Sequence, residues 1–122
     1  MKLHLTTAEN NNLITAYSEN YIEVNKKRYT QNLIVMPQQL IFDWEAKSFS
    51  ELSEKHLSTV AEFNSEVVLL GTGNKHQFLH PKIYQALTIK GIPLECMTTA
   101  AACRTYNILM SEGRNVLAAL IL

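Results

Sequence analysis

Residues 66–73 read Glu-Val-Val-Leu-Leu-Gly-Thr-Gly, and this stretch decides the architecture. The run EVVLL (66–70) is nearly all apolar, rich in β-branched and aliphatic side chains, and of strand length. A strand with one wet face would alternate, so an unbroken apolar run describes a strand buried on both faces. Two more runs of this kind follow, at residues 92–97 (IPLECM) and 116–121 (VLAALI). Between the first two, Pro81 at a first helical position and Gly91 past the end bracket a helix over residues 81–90. Its apolar stripe is Ile83, Tyr84, Leu87 and Ile89. Between the last two, Thr98 or Thr99 caps the longest helix, which runs to about residue 112 and stops at Gly113. Its Ala100-Ala101-Ala102-Cys103 start lets it lie close on a sheet. Buried strands separated by helices predict parallel β-α-β units with right-handed crossovers.

Working outward, Ser53 reads as the N-cap of a helix over residues 54–63, with Leu57, Val60, Ala61 and Phe63 as its apolar side. The first 45 residues read as β structure. Short runs at 13–18 (LITAYS) and 21–24 (YIEV) lead into a turn at Asn25-Lys26-Lys27. A strand over 28–36 then stops at Pro37, and a last one covers 40–44 (LIFDW). The fold class that results is α/β: a three-layer single domain over residues 1–122 with a mixed sheet. Its N-terminal antiparallel strands precede a parallel β-α-β-α-β unit.

Composition narrows the function classes. Eleven Lys and Arg balance eleven Asp and Glu, five of each sign in residues 1–50 and six of each in 51–122. No half of the chain carries the positive field that nucleic-acid binding relies on. Lys26-Lys27-Arg28 is the solvated tip of a hairpin. The amino-terminal MKLHLTTAENNN lacks a continuous apolar core and is not a secretory leader, and no apolar run reaches the roughly 20 residues that span a bilayer. The expectation is a cytoplasmic protein, with Cys96 and Cys103 as buried, reduced thiols.

A site has one natural place. Gly71-Thr72-Gly73 follows a buried strand, where open α/β sheets bind ligands. It is no dinucleotide fingerprint, because position 76 is His76, and no P-loop, because no GK[ST] follows. Two readings stay open: glycines required by a sharp turn or a close backbone approach, or a backbone nest for an anion. Thr98 and Thr99 open the last helix at the same sheet edge, as simple caps or as part of an anion site. Arg104 and Asn107 share a helix face and flank Tyr106. Arg104 reads as a clamp over the cleft, as an ion pair with Glu95 or Glu112, or as a solvent-facing residue. His76 and His80 precede Pro81 without a third metal-type ligand, so no metal site is expected. No catalytic nucleophile motif and no cofactor motif is present.

VVLLGTG (67–73), FLHP (78–81), GIPLECMTTAAACRTYNILMSEGR (91–114) and the closing VLAALIL together resemble a family of small α/β domains of unknown function. That family includes the mitochondrial assembly factor three of respiratory complex I and the adipogenesis-associated single-domain protein. The resemblance covers roughly residues 10–122. It implies a compact three-layer fold with a mixed sheet and a role as an assembly partner rather than a known enzyme. It supplies no catalytic residues. Gly71, Gly73, Thr99, Arg104, Tyr106 and Asn107 carry over as a candidate cleft, to which Thr72 and Thr98 are added from the residues themselves. Members often carry an Asp where this chain has Thr98. Two functions follow as expectations: a non-enzymatic interaction or assembly protein with a protein partner, and, as the alternative, a small-molecule or anion binder, conceivably an enzyme, using the cleft.

Overall fold

The computed structural model describes residues 11–122, so what was read from residues 1–10 lies outside the described residues. Strands β1 (Ile14–Tyr17), β2 (Ile22–Val24) and β3 (Lys27–Tyr29) form an antiparallel three-stranded sheet. Asn25 and Lys26 both take positive φ, 50° and 73°, which makes the β2–β3 connection a two-residue turn whose twist matches its strands. A second sheet has the order β5-β4-β8-β6-β7, built from β4 (Leu33–Met36), β5 (Gln39–Ile41), β6 (Val67–Thr72), β7 (Leu94–Met97) and β8 (Val116–Ile121). Strand β6 is parallel to β7 and β8, while β4 runs antiparallel to both β8 and β5, so the sheet is mixed.

Among the described residues three α-helices, α1 (Glu54–Ala61), α2 (Gln85–Ile89) and α3 (Thr99–Ser111), and a single 3-10 turn at Phe49–Glu51 complete the fold. The apolar runs are continuous because alternate residues serve opposite faces. Val68 and Leu70 of β6, Leu117, Ala119 and Ile121 of β8, and Ile34 and Met36 of β4 pack with Leu57 and Val60 of α1 and Leu87 of α2. Val67, Leu69, Val116, Ala118, Leu120, Leu33 and Val35 face the other way, onto Ala102, Cys103, Tyr106 and Met110 of α3 and Ile14, Ile22 and Val24 of the small sheet. The molecule is thus three-layered, with α1 and α2 on one side and α3 with the small sheet on the other. Every residue of β6 and β8 is buried.

Several boundaries differ from the sequence expectation. Residues 28–36 are not one strand. The chain breaks after Tyr29, so β3 and β4 lie in different sheets, and Asn32 ties the break down by donating from Nδ2 to Ala46 O at 2.8 Å. The strand expected over 40–44 is only Gln39–Ile41, and Trp44 is buried outside it. The helix expected over 81–90 shrinks to α2, with residues 81–84 in turns, and Ile89 is 82% exposed instead of belonging to the stripe. Strand β7 is an edge strand with half-buried residues rather than a strand buried on both faces. Strand β6 continues through Gly71 and Thr72, so the glycine pair does not lie wholly in a turn. Among the described residues no helix is long and apolar enough to cross a membrane.

Candidate functional site

The sheet topology itself opens a crevice. Strand β6 exits toward α2 on one face, whereas β7 exits toward α3 on the other and returns to β8 across β6. Crossovers of one hand that move in opposite directions along a sheet need helices on opposite faces. Adjacent strands whose chains leave in this way part at their carboxyl ends, where ligands bind in open α/β sheets.

A knot of hydrogen bonds forms the floor. Thr99 N–H donates to Gly73 O at 2.9 Å, and Gly73 N–H donates to Thr99 Oγ1 at 2.9 Å. The Thr99 hydroxyl in turn donates to Ile121 O, joining the ends of β6 and β8 to the start of α3. Thr72 Oγ1 accepts from Gln77 N–H at 3.2 Å and lies within bonding distance of Met97 O and Lys75 O. The two glycines are needed for different reasons. Gly73 has φ +96°, a conformation that side chains other than glycine rarely take. Gly71 has no such φ, but a Cβ there would stand 2.9 Å from Thr99 Oγ1, 3.0 Å from Thr99 Cα and 3.1 Å from Leu120 Cδ2. The first turn of α3 can land on the sheet only because that carbon is missing.

Above the floor is an open cleft of about 610 Å³, within the usual range for small-ligand sites. Its walls come from the β1–β2 turn (Tyr17, Ser18, Glu19), the segment before α1 (Lys47, Ser48, Phe49), the loop after β6 (Asn74, Gln77), the start of α3 (Thr98, Thr99, Ala100) and the end of β8 (Ile121, Leu122). Of the residues singled out in the sequence, Thr72, Gly73, Thr98 and Thr99 line it, and Gly71 lies behind the floor.

Arg104, Tyr106 and Asn107 are not in the cleft lining. Residues 99, 102, 103, 106 and 110 of α3 are buried against the sheet, whereas Arg104 shares the opposite side with the exposed Ile108. Its Nη1 donates to Tyr17 Oη at 3.2 Å, so it touches a residue of the cleft lining without lining it itself, and among the described residues it pairs with neither Glu95 nor Glu112. Tyr106 is fully buried and donates to Asn12 O at 2.7 Å, and burial pushes its phenol well above the ordinary range. Asn107 holds β1 to α3: its Oδ1 accepts from Ile14 N–H at 3.0 Å and its Nδ2 donates to Ile14 O at 2.8 Å.

The anion nest is largely used up by the fold. Gly73 and Thr99 amides are spent on the floor, and Ala101 N–H donates to Thr98 Oγ1 at 3.3 Å, which makes Thr98 the N-cap of α3. An aspartate would fill that capping role equally well. The His76 and Phe78 rings lie 4.5 Å apart between centroids, tilted by 48°, and His80 Nδ1 accepts from Lys82 N–H at 3.1 Å. Cys103 is buried, and burial pushes its thiol up to about 12 despite the nearby Arg104 charge. Cys96, expected to be buried, is half-buried, and desolvation raises its thiol too, against a hydrogen bond from the Leu79 backbone. Both are free thiols, and neither is an activated nucleophile at neutral pH.

Fold and site define a class: a three-layer α/β domain whose mixed sheet carries a cleft at its switch point. The chain belongs to the family described as protein of unknown function (DUF498/DUF598), which matches residues 14–121. It is 36% identical over 110 residues to NADH dehydrogenase [ubiquinone] 1 alpha subcomplex assembly factor 3 of Mus musculus, a match spanning 88% of this chain and 59% of that protein. The Homo sapiens protein of the same name is 31% identical over the same share. The chain therefore spans well under two thirds of the length of these curated relatives. A Francisella tularensis protein named 13 kDa major membrane protein is 32% identical over 95 residues, 76% of each chain. Among solved structures, a Bordetella parapertussis protein superposes with a TM-score of 0.86 at 38% identity, covering 91% of this chain and 95% of that one. A Mth938-like domain of Bordetella pertussis gives 0.81 at 31%, covering 95% and 87%. The family resemblance read from the sequence is borne out.

Proposed function

We propose that this chain is a non-enzymatic assembly protein that docks on subunits of a respiratory complex in the cytoplasm while the complex is being built. The observation that carries this reading is the 31–36% identity to mammalian complex I assembly factor 3 across 88% of the chain. The test is deletion of the gene in its own cell, followed by native electrophoresis of the membranes and assay of NADH–quinone activity. The expected result is accumulated subcomplexes and lost activity, both restored by the gene on a plasmid. A fully assembled complex at normal abundance in the deletion strain refutes the respiratory role.

A second reading is favoured by one specific observation, the cleft of about 610 Å³ at the switch point. In it, the chain binds a small molecule there, alone or as a signal that controls docking. A thermal-shift screen of common metabolites tests it: a ligand at 100 times its dissociation constant adds about 2.7 kcal/mol of stability. A screen without any shift counts against this reading and leaves the docking reading standing.

A further inference from the structure

We propose that the free edge of β7 takes an extended segment of a partner protein as an added strand, with the side-chain pattern apolar–basic–apolar. This rests on the reading of the chain as a docking protein and goes further, by naming the surface and the kind of segment it receives.

Strand β7 ends the five-stranded sheet, with β6 on one side and no strand on the other. Val68 N–H donates to Pro93 O at 3.0 Å, which fixes the phase of the parallel ladder. Glu95 therefore turns its backbone groups toward β6, and Leu94 and Cys96 turn theirs outward. Among the described residues no hydrogen bond uses the outward N–H and C=O of Leu94 and Cys96. The other sheet edges are blunted. Asn107 occupies both backbone groups of Ile14 in β1, and β3 carries Lys27 and Arg28. Strand β5 is three residues long and has the Asn12 carboxamide on Gln39 O at 3.1 Å. Sheets guard their edges by such means, so the unguarded one is where a further strand can add.

Beside that edge runs a shallow groove of about 340 Å³, bounded by Phe78, Leu79 and Tyr84 and by Leu94, Glu95 and Cys96 of β7. Phe78 is 79% exposed, and the Leu79 backbone is held against β7 by its hydrogen bond to the Cys96 thiol. Leu94 and Cys96 pack on the α1–α2 side of the sheet. Residues of an added strand opposite those two lie on the same side and meet the groove, where aliphatic side chains suit its ring and leucine walls. The residue between them lands opposite Glu95, which is exposed and in no ion pair among the described residues. A lysine or arginine there completes a cross-strand charge pair. The same carboxylate turns away a second copy of this chain. Antiparallel pairing that engages Leu94 and Cys96 of both copies sets Glu95 against its own counterpart, and like charges directly opposite are destabilising.

The test titrates the full chain, labelled with nitrogen-15, with the capped peptides STVKVTS and STVEVTS at millimolar concentration. STVKVTS is expected to move the Leu94 and Cys96 amide resonances saturably and to slow their hydrogen exchange. STVEVTS is expected to bind about fivefold more weakly, the span between a favourable and an unfavourable cross-strand charge pair. Glu95→Lys, at an exposed position where folding is not at stake, is expected to reverse that order. If neither peptide moves the Leu94 and Cys96 resonances, the edge assignment falls, and the docking reading still stands or falls by the deletion strain. A preference that Glu95→Lys leaves unchanged overturns the proposal as stated. Protection of the same two amides that rises with protein concentration, without peptide, puts a second copy on the edge and overturns it as well.

Discussion

Replacing Gly71 with alanine adds one methyl at the point where α3 meets the sheet. That carbon would sit 2.9 Å from Thr99 Oγ1 and 3.0 Å from Thr99 Cα, so backbone as well as side chain must retreat. Thr99 cannot simply rotate, because its hydroxyl accepts from Gly73 and donates to Ile121. Overpacking of this kind costs about 1–3 kcal/mol, and one lost hydrogen bond adds about 1 kcal/mol. Against this, alanine stiffens the unfolded chain, a gain of about 0.4–1 kcal/mol open to it because the φ of Gly71 is not positive. The net expectation is a loss of about 2 kcal/mol, which at a urea m-value of about 1–3 kcal/mol/M lowers the midpoint by roughly 1 M. A double-mutant cycle with Thr99→Ala isolates the cause. Removing the obstructing hydroxyl should make the second methyl cheaper, so the double variant should be more stable than the sum of the singles predicts. Stability of Gly71→Ala within about 0.5 kcal/mol of the parent, or strict additivity in the cycle, refutes the close-approach account.

The buried thiol of Cys103 gives an alkaline signature. Its pKa is raised from 9.0 to about 12, so the folded state holds the proton longer than the unfolded one. Stability from this source is complete below pH 9 and declines as pH rises toward 12, and Cys103→Ala should flatten that decline in urea midpoints measured across this range. An unchanged slope contradicts the burial. Asn107→Ala breaks both bonds to Ile14 and should cost about 1–3 kcal/mol, with faster hydrogen exchange at the Ile14 amide as its local sign. Unaltered exchange there would show that β1 is held by packing alone. Arg104→Ala should change stability by no more than about 0.5 kcal/mol in thermal melts, as expected of a solvent-facing residue. A loss of about 3–5 kcal/mol would instead reveal a buried ion pair.

Much of the fold was legible because its signals are local. Apolar runs at residues 66–70 and 116–121 can satisfy water's exclusion only as strands covered on both faces. Ser53, Pro37, Gly91 and Gly113 end or start elements through their own backbone chemistry. The errors fell where a local signal had no local answer. Residues 28–36 look continuous, and only the partners available to each half send β3 to one sheet and β4 to another. Ile89 was read into a helical stripe, but it lies two positions past the buried Leu87, about 200° round α2, and so faces outward.

The candidate site divides in the same way. Thr72, Gly73, Thr98 and Thr99 were found because strand ends and helix starts converge at one edge of any parallel sheet. Arg104, Tyr106 and Asn107 were placed with them because the resemblance carried over the whole start of this helix, yet a helix rotates by about 100° per residue, so its residues face different layers. Tyr17, Glu19, Lys47 and Phe49 carry no motif that marks them. They reach the cleft because the small sheet packs on α3 and the segment before α1 passes over the end of β8. The sequence by itself determined the two fully buried strands, β6 and β8, and the edge of the sheet at which the next helix starts. The tertiary structure alone decided which side chains line the opening, because strand order and helix facing depend on contacts between residues far apart in the chain.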